Sequence, residues 1–133
     1  MSANVELVRA IFEHWERGDW FAVTWADPEL EFVITDGPDP RTFVGVEAMI
    51  DAWREFLSAW SDYATAAEEC RELDDGRVLV LLHASGRGKA SGADLSAGIV
   101  KGANIFEFRD GLVTRLAIYF DHRHALGDLG LES

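Results

Sequence analysis

Apolar side chains recur at Val5, Val8, Ile11, Phe12 and Trp15, a three-and-four spacing that predicts an amphipathic helix over Asn4–Arg17. Gly18 stands where that helix would end, and Asp19 can cap a short second helix, Trp20–Ala26, before the break at Asp27-Pro28. Glu29–Thr35 alternates in part and is rich in β-formers, which predicts a strand running into the loop sequence DGPDP. Met49, Trp53, Phe56 and Trp60 then fall four, three and four residues apart, so a third helix over Gly45–Ser61 has an aromatic face. Past Asp62 the pattern becomes extended, over about Ala64–Leu73, Arg77–Arg87, Leu95–Phe108 and Leu112–Asp121. The breaks are Asp74-Asp75-Gly76, the glycine-rich GRGKASG and Arg109-Asp110-Gly111. Helices first and long hairpin strands afterwards predict an α+β fold with helices laid on one face of a curved sheet.

The 133 residues suit a single domain spanning 1–133, and 48% hydrophobic content with eight Phe and five Trp supplies a substantial core. Twenty-four acidic against twelve basic residues give a net charge of −12, which disfavours nucleic acid and anionic membranes as partners. No apolar run approaches a membrane span and the opening MSANVELVRA lacks a signal-peptide pattern, so the expected location is cytoplasmic. Cys70, the single cysteine, reads as a small buried hydrophobe.

Five segments in order, VRAIFEHWERGDW, DPELEF, GVEAMIDAW, FEFRDGLVTRLAIYFD and HALGDLGL, resemble the SnoaL-like family of the nuclear transport factor 2-like (cystatin-like) superfamily, over nearly the whole chain. The resemblance implies a cone: a strongly curved antiparallel sheet wrapped around the N-terminal helices, enclosing a pocket open at one end. Ketosteroid isomerase, limonene epoxide hydrolase and polyketide cyclases share that superfamily with proteins lacking catalysis, so the fold leaves the chemistry open.

Within such a cone a few polar groups on an apolar wall would carry function. Asn104 shares a strand face with Phe106 and Phe108, and alignment with ketosteroid isomerase puts it where that enzyme keeps an oxyanion-binding acid; it is a candidate catalytic donor or a satisfied core amide. The isomerase's base and phenol fall at Ile34 and Ile11, and Asp36 before Gly37-Pro38 reads better as a turn residue. The epoxide hydrolase triad has no counterpart, its last-strand Asp falling at Ile118. Asp121 corresponds to a region from which SnoaL-like cyclases draw a base, but it also fits the N-cap of a short helix beginning at His122. His83 could act as general base if its strand turned it inward; its row with Ser85 and Arg87 instead suits a face toward water or a partner.

Trp15, Trp53, Phe56, Trp60, Phe106 and Tyr119 are the candidate ligand-binding aromatics, with core packing as the alternative. His122 and His124 lie two apart without a third ligand nearby, so no metal is expected, nor any cofactor. The expected partner is a small hydrophobic molecule, handled by acid–base chemistry or held without catalysis; a protein-interaction module is the further alternative. Apolar residues on both faces of the last strand (Leu116, Ile118 and Phe120; Val113, Ala117 and Tyr119) predict a homodimer, sheet against sheet.

Overall fold

The computed structural model describes residues 3–36, 40–58, 60–88 and 100–131, with only the backbone for 60–62, 86–88 and Val100. The expected first helix is present as α1, Ala3–Glu16, burying all five periodic residues. The chain then passes through β1 (Ala26–Ile34), β2 (Arg41–Val44), α2 (Val46–Ser58), β3 (Trp60–Glu72), β4 (Val78–Gly88), β5 (Val100–Arg109), β6 (Leu112–Tyr119) and α3 (His122–Asp128). The strands form one six-stranded sheet in the order β2-β1-β6-β5-β4-β3. It is antiparallel except between its second and third strands, where β1 pairs parallel with β6. The fold is the expected α+β cone, with a curved sheet that does not close.

The hairpin signals behave as their turn chemistry requires. Asp110 and Gly111 both have positive φ, 54° and 78°, the twist that joins β5 to β6 tightly. Of the glycine-rich segment, Gly86–Gly88 extend β4, and the turn expected from Lys89 onward lies outside the described residues.

Three elements depart from expectation: the third helix, expected to run to Ser61, stops at Ser58, and Trp60 begins β3 instead of extending that helix's aromatic face. Trp20–Ala26 forms no helix. Its indoles dock instead, Trp20 stacking on Trp15 at 6.0 Å and Trp25 meeting Trp15 edge-on at 6.1 Å, and this aromatic burial outweighs local propensity. The unexpected strand β2 pairs with β1, Phe43 opposite Phe32. It leads into α2 through Gly45, whose φ of +99° only glycine adopts without strain.

Register sorts the strand residues onto two faces. Phe32, Leu116, Phe106 and Val78 form one inward row, and Ile34, Ile118, Asn104, Val80 and Cys70 the next. With Val8, Ile11, Phe12 and Trp15 of α1 and Met49 of α2 they build the main core. Val113 turns inward as well, because the irregularity between Glu107 and Phe108 shifts the register; its expected place was the opposite face. The outward row Leu79, Ala103, Ile105, Ala117 and Tyr119 packs under Ala125 and Leu126 of α3. That strip, on which the expected dimer rested, is therefore covered within the chain. Beside it the outer face carries ion pairs, Glu31–Arg115–Glu107 and His83–Glu68–Lys101. No helix among the described residues is long and apolar enough to cross a membrane.

Candidate functional site

A cavity of about 130 Å³ lies between the inner sheet face and the two long helices. That is close to the roughly 150 Å³ in which an apolar protein cavity accommodates a benzene ring. It exists because Ala52 on α2, Ala84 on β4 and Gly102 on β5 reach into it with a methyl group or nothing. Ile34, Ile118 and Leu82 form aliphatic wall, while Trp15, Trp53, Trp20, Phe56 and Tyr63 supply rings. Phe56 is 36% exposed and meets Tyr63 edge-on at 5.1 Å, which places these two at the open end.

Asn104 is the polar group at the inner wall. Its neighbours across the sheet are Val80 and Ile118, both apolar, and it is 4% exposed. No hydrogen bond joins its amide to any other described residue. The amide lines the cavity, so a group entering it can bond the amide. Thr65, also on the wall, is already committed, its hydroxyl donating to the His83 carbonyl oxygen at 3.3 Å.

The titratable groups on the wall are two phenols, among the described residues. Burial pushes Tyr63 up to about 12, and burial together with donation to Asp128 Oδ2 at 2.8 Å pushes Tyr119 up to about 12. Both stay neutral at physiological pH. Tyr119 touches the cavity, but its hydroxyl is turned away to α3. Trp15 anchors the deep side, stacked on Phe106 at 6.3 Å and edge-on to Trp53 at 5.6 Å, with its own indole N–H buried and unpartnered among the described residues.

Two candidate acid–base residues and one candidate wall aromatic lie elsewhere. His83 follows Leu82, whose side chain is inward, so alternation sends the imidazole out, where Nδ1 lies 3.0 Å from Glu68 Oε1. Asp121 caps α3, accepting from the Arg123 backbone N–H at 3.0 Å, and that bond holds its carboxyl below the ordinary value. Phe106 faces inward as expected but is wholly buried beneath Phe12 and Trp15, one row deeper than the cavity. Of Trp60 only the backbone is described, at the start of β3, so its side-chain role lies outside the described residues.

The wall residues that the sequence did not single out include Tyr63, Thr65, Leu82, Ala84, Gly102 and Phe120, and also Phe32, Ile34, Ala52, Leu57 and Ile118. The alternation Tyr63, Thr65, Ala67 was the available signal for the first two, obscured because the strand was expected to begin at Ala64. Among the described residues no cluster of His, Cys, Asp or Glu could hold a metal ion.

A model of the SnoaL-like domain matches residues 8–116. The chain belongs to that family. The SnoaL-like fold is shared with an NTF2-like protein of unknown function from Burkholderia pseudomallei K96243, at TM-score 0.77 and 20% identity over 96% of this chain and 97% of that one. It is also shared with TerC co-crystallized with polyporic acid, at TM-score 0.71 and 20% identity over 96% and 98% of the two chains. A ketosteroid isomerase-like protein from Catenulispora acidiphila DSM 44928, in complex with trimethylamine, gives TM-score 0.70 and 16% identity over 96% and 94%. One curated relative, the isoleucine–tRNA ligase of Limosilactobacillus reuteri subsp. reuteri (strain JCM 1112), is 33% identical over 67 residues, which is 50% of this chain and only 7% of that protein.

Proposed function

We propose that the protein holds a small, uncharged ring compound bearing a carbonyl or hydroxyl oxygen, with Asn104 bonding the oxygen and the tryptophans packing against the ring. The observation that carries this reading is the Asn104 amide, 4% exposed on a cavity wall and without a partner among the described residues. An amide both donates and accepts, so it can meet either kind of oxygen. The surrounding rings and methyl groups favour an apolar body and leave a charged one without compensation. Binding is favoured over acid–base turnover, because no carboxylate, imidazole or ammonium among the described residues lines the cavity. Proteins of the same fold crystallized with polyporic acid and with trimethylamine support small-molecule binding by this fold.

Acetophenone, neutral at all relevant pH values, is a suitable probe. Calorimetric titration of the wild type should show saturable binding, lost or strongly weakened in Asn104→Leu. No binding, or equal binding by wild type and variant, would overturn the assignment. A homodimer through the outer face would have to match the ion-pair rows described above, and sedimentation equilibrium at micromolar concentration tests it.

A further inference from the structure

Behind the cavity wall formed by Ile34 and Phe120 lies a cluster of polar groups drawn from three parts of the chain. Asp36, just beyond β1, accepts from the Phe120 backbone N–H through Oδ1 at 2.6 Å and faces His124 Nδ1 through Oδ2 at 2.8 Å. The other ring nitrogen, Nε2, lies 3.6 Å from Asp128 Oδ2, the same oxygen that accepts the hydrogen bond donated by the Tyr119 hydroxyl at 2.8 Å. Tyr119 also sets its ring edge-on to the imidazole at 5.1 Å. One carboxylate thus ties the end of β1 both to the residue after β6 and to α3, and Ile34 and Phe120 are wall residues on either side of that tie.

We propose that Asp36 and His124 form a protonation-dependent clasp that fixes the Ile34–Phe120 wall, so that ligand affinity falls when His124 loses its proton. The inference rests on the cavity being the binding site. The groups facing His124 are Asp36 from the segment after β1, the neutral phenol of Tyr119 from β6, and Asp128 and Asp121 from α3. The nearby cation Arg123 is paired with Asp121 at 3.6 Å. An imidazolium surrounded in this way is favoured, and the hydrogen bond to Asp36 is the main cause that raises the His124 pKa above 6.5. The sign follows: the clasp is complete below the ordinary histidine value and weakens as pH rises through the raised one. Neutral His124 can still donate from Nδ1, so only the charged part of the bond is lost. Asp36 is therefore a positioning residue, acting on the ligand through Phe120.

The test combines acetophenone titration with the hydrogen-exchange protection of the Phe120 amide, both followed from about pH 5.5 to about pH 8.5, a range that brackets histidine titration. Wild-type affinity should fall roughly two- to fivefold with a single midpoint above the ordinary histidine value, the size expected of a part-exposed ion pair. Phe120 protection, corrected for intrinsic exchange, should fall with the same midpoint. His124→Gln and Asp36→Asn, the latter keeping an acceptor for Phe120 N–H, should be flat across the range at the weaker level. A flat wild-type profile, or a pH-dependent one persisting in His124→Gln, would overturn the clasp. Failure of acetophenone to bind at any pH, with Phe120 protection still tracking His124, would overturn the binding site and not the clasp.

Discussion

Gly102 stands two residues before Asn104 on the same face of β5, and a Cβ placed on it would come within 2.6 Å of the Tyr119 carbonyl oxygen. The close approach of β5 to β6 and the open space beside the amide have one origin in that missing side chain. Gly102→Ala should therefore destabilise the protein by about 1–3 kcal/mol, as overpacking does, because the obstacle is backbone. Urea unfolding measures it; an unchanged midpoint would mean that the two strands can separate without loss.

Asn104→Leu should move stability and binding in opposite directions. Placing an apolar side chain on an otherwise apolar cavity wall leaves the free protein at least as stable, whereas the oxygen of bound acetophenone loses its partner, weakening binding by roughly 1–3 kcal/mol. Asn104→Asp should weaken it too near neutrality, since a carboxylate cannot donate. Thermal melting and calorimetry on the same samples check the pair of signs.

Trp15 touches Phe12, Trp20, Trp25, Trp53 and Phe106, linking α1 to the other described indoles and to Phe106 of β5. Trp15→Ala should cost about 3–5 kcal/mol, a large share of the stability of a domain this size. Denaturant unfolding reads this directly, and Phe21→Ala, at a site 42% exposed, serves as the control expected to lose little.

The N-cap of α3 gives an acid-side signature. Asp121 has its pKa held below 3.8 by the Arg123 backbone bond, so its stabilisation is present above the ordinary value and disappears as pH falls through the lowered one. Asp121→Ala should lower the melting temperature at neutral pH and flatten its decline below about pH 4, while Asp121→Asn, still a capping side chain, should retain most of the neutral-pH stability.

Most of the framework was legible because it rests on periodicity that burial enforces. The α1 stripe and the Asp110-Gly111 turn each follow from local chemistry alone. The segment after α1 was not legible, since Trp20 and Trp25 are held by Trp15 and Trp53, partners that helix propensity does not weigh. Asn104 could be found because an amide among rings on one strand face is unusual. His83 was ambiguous because a single-residue change of register inverts a strand, and only the pairing of Leu82 with Gly102 fixes which side is the inside. Asp36 read as a turn residue; its contacts with Phe120 and His124 join positions far apart in the chain, which local spacing does not reveal.

Four indoles, Trp15, Trp20, Trp25 and Trp53, form a connected set with ring centres 5.6–6.4 Å apart in each touching pair, and three of them border the cavity. Rings this close exchange excitation faster than they emit, so light absorbed by any one of them can emerge from another beside the cavity. A carbonyl compound seated against that wall would quench the whole set together. In a Trp60→Phe variant the emission of these four indoles would therefore serve as an optical gauge of ligand entry into the proposed site.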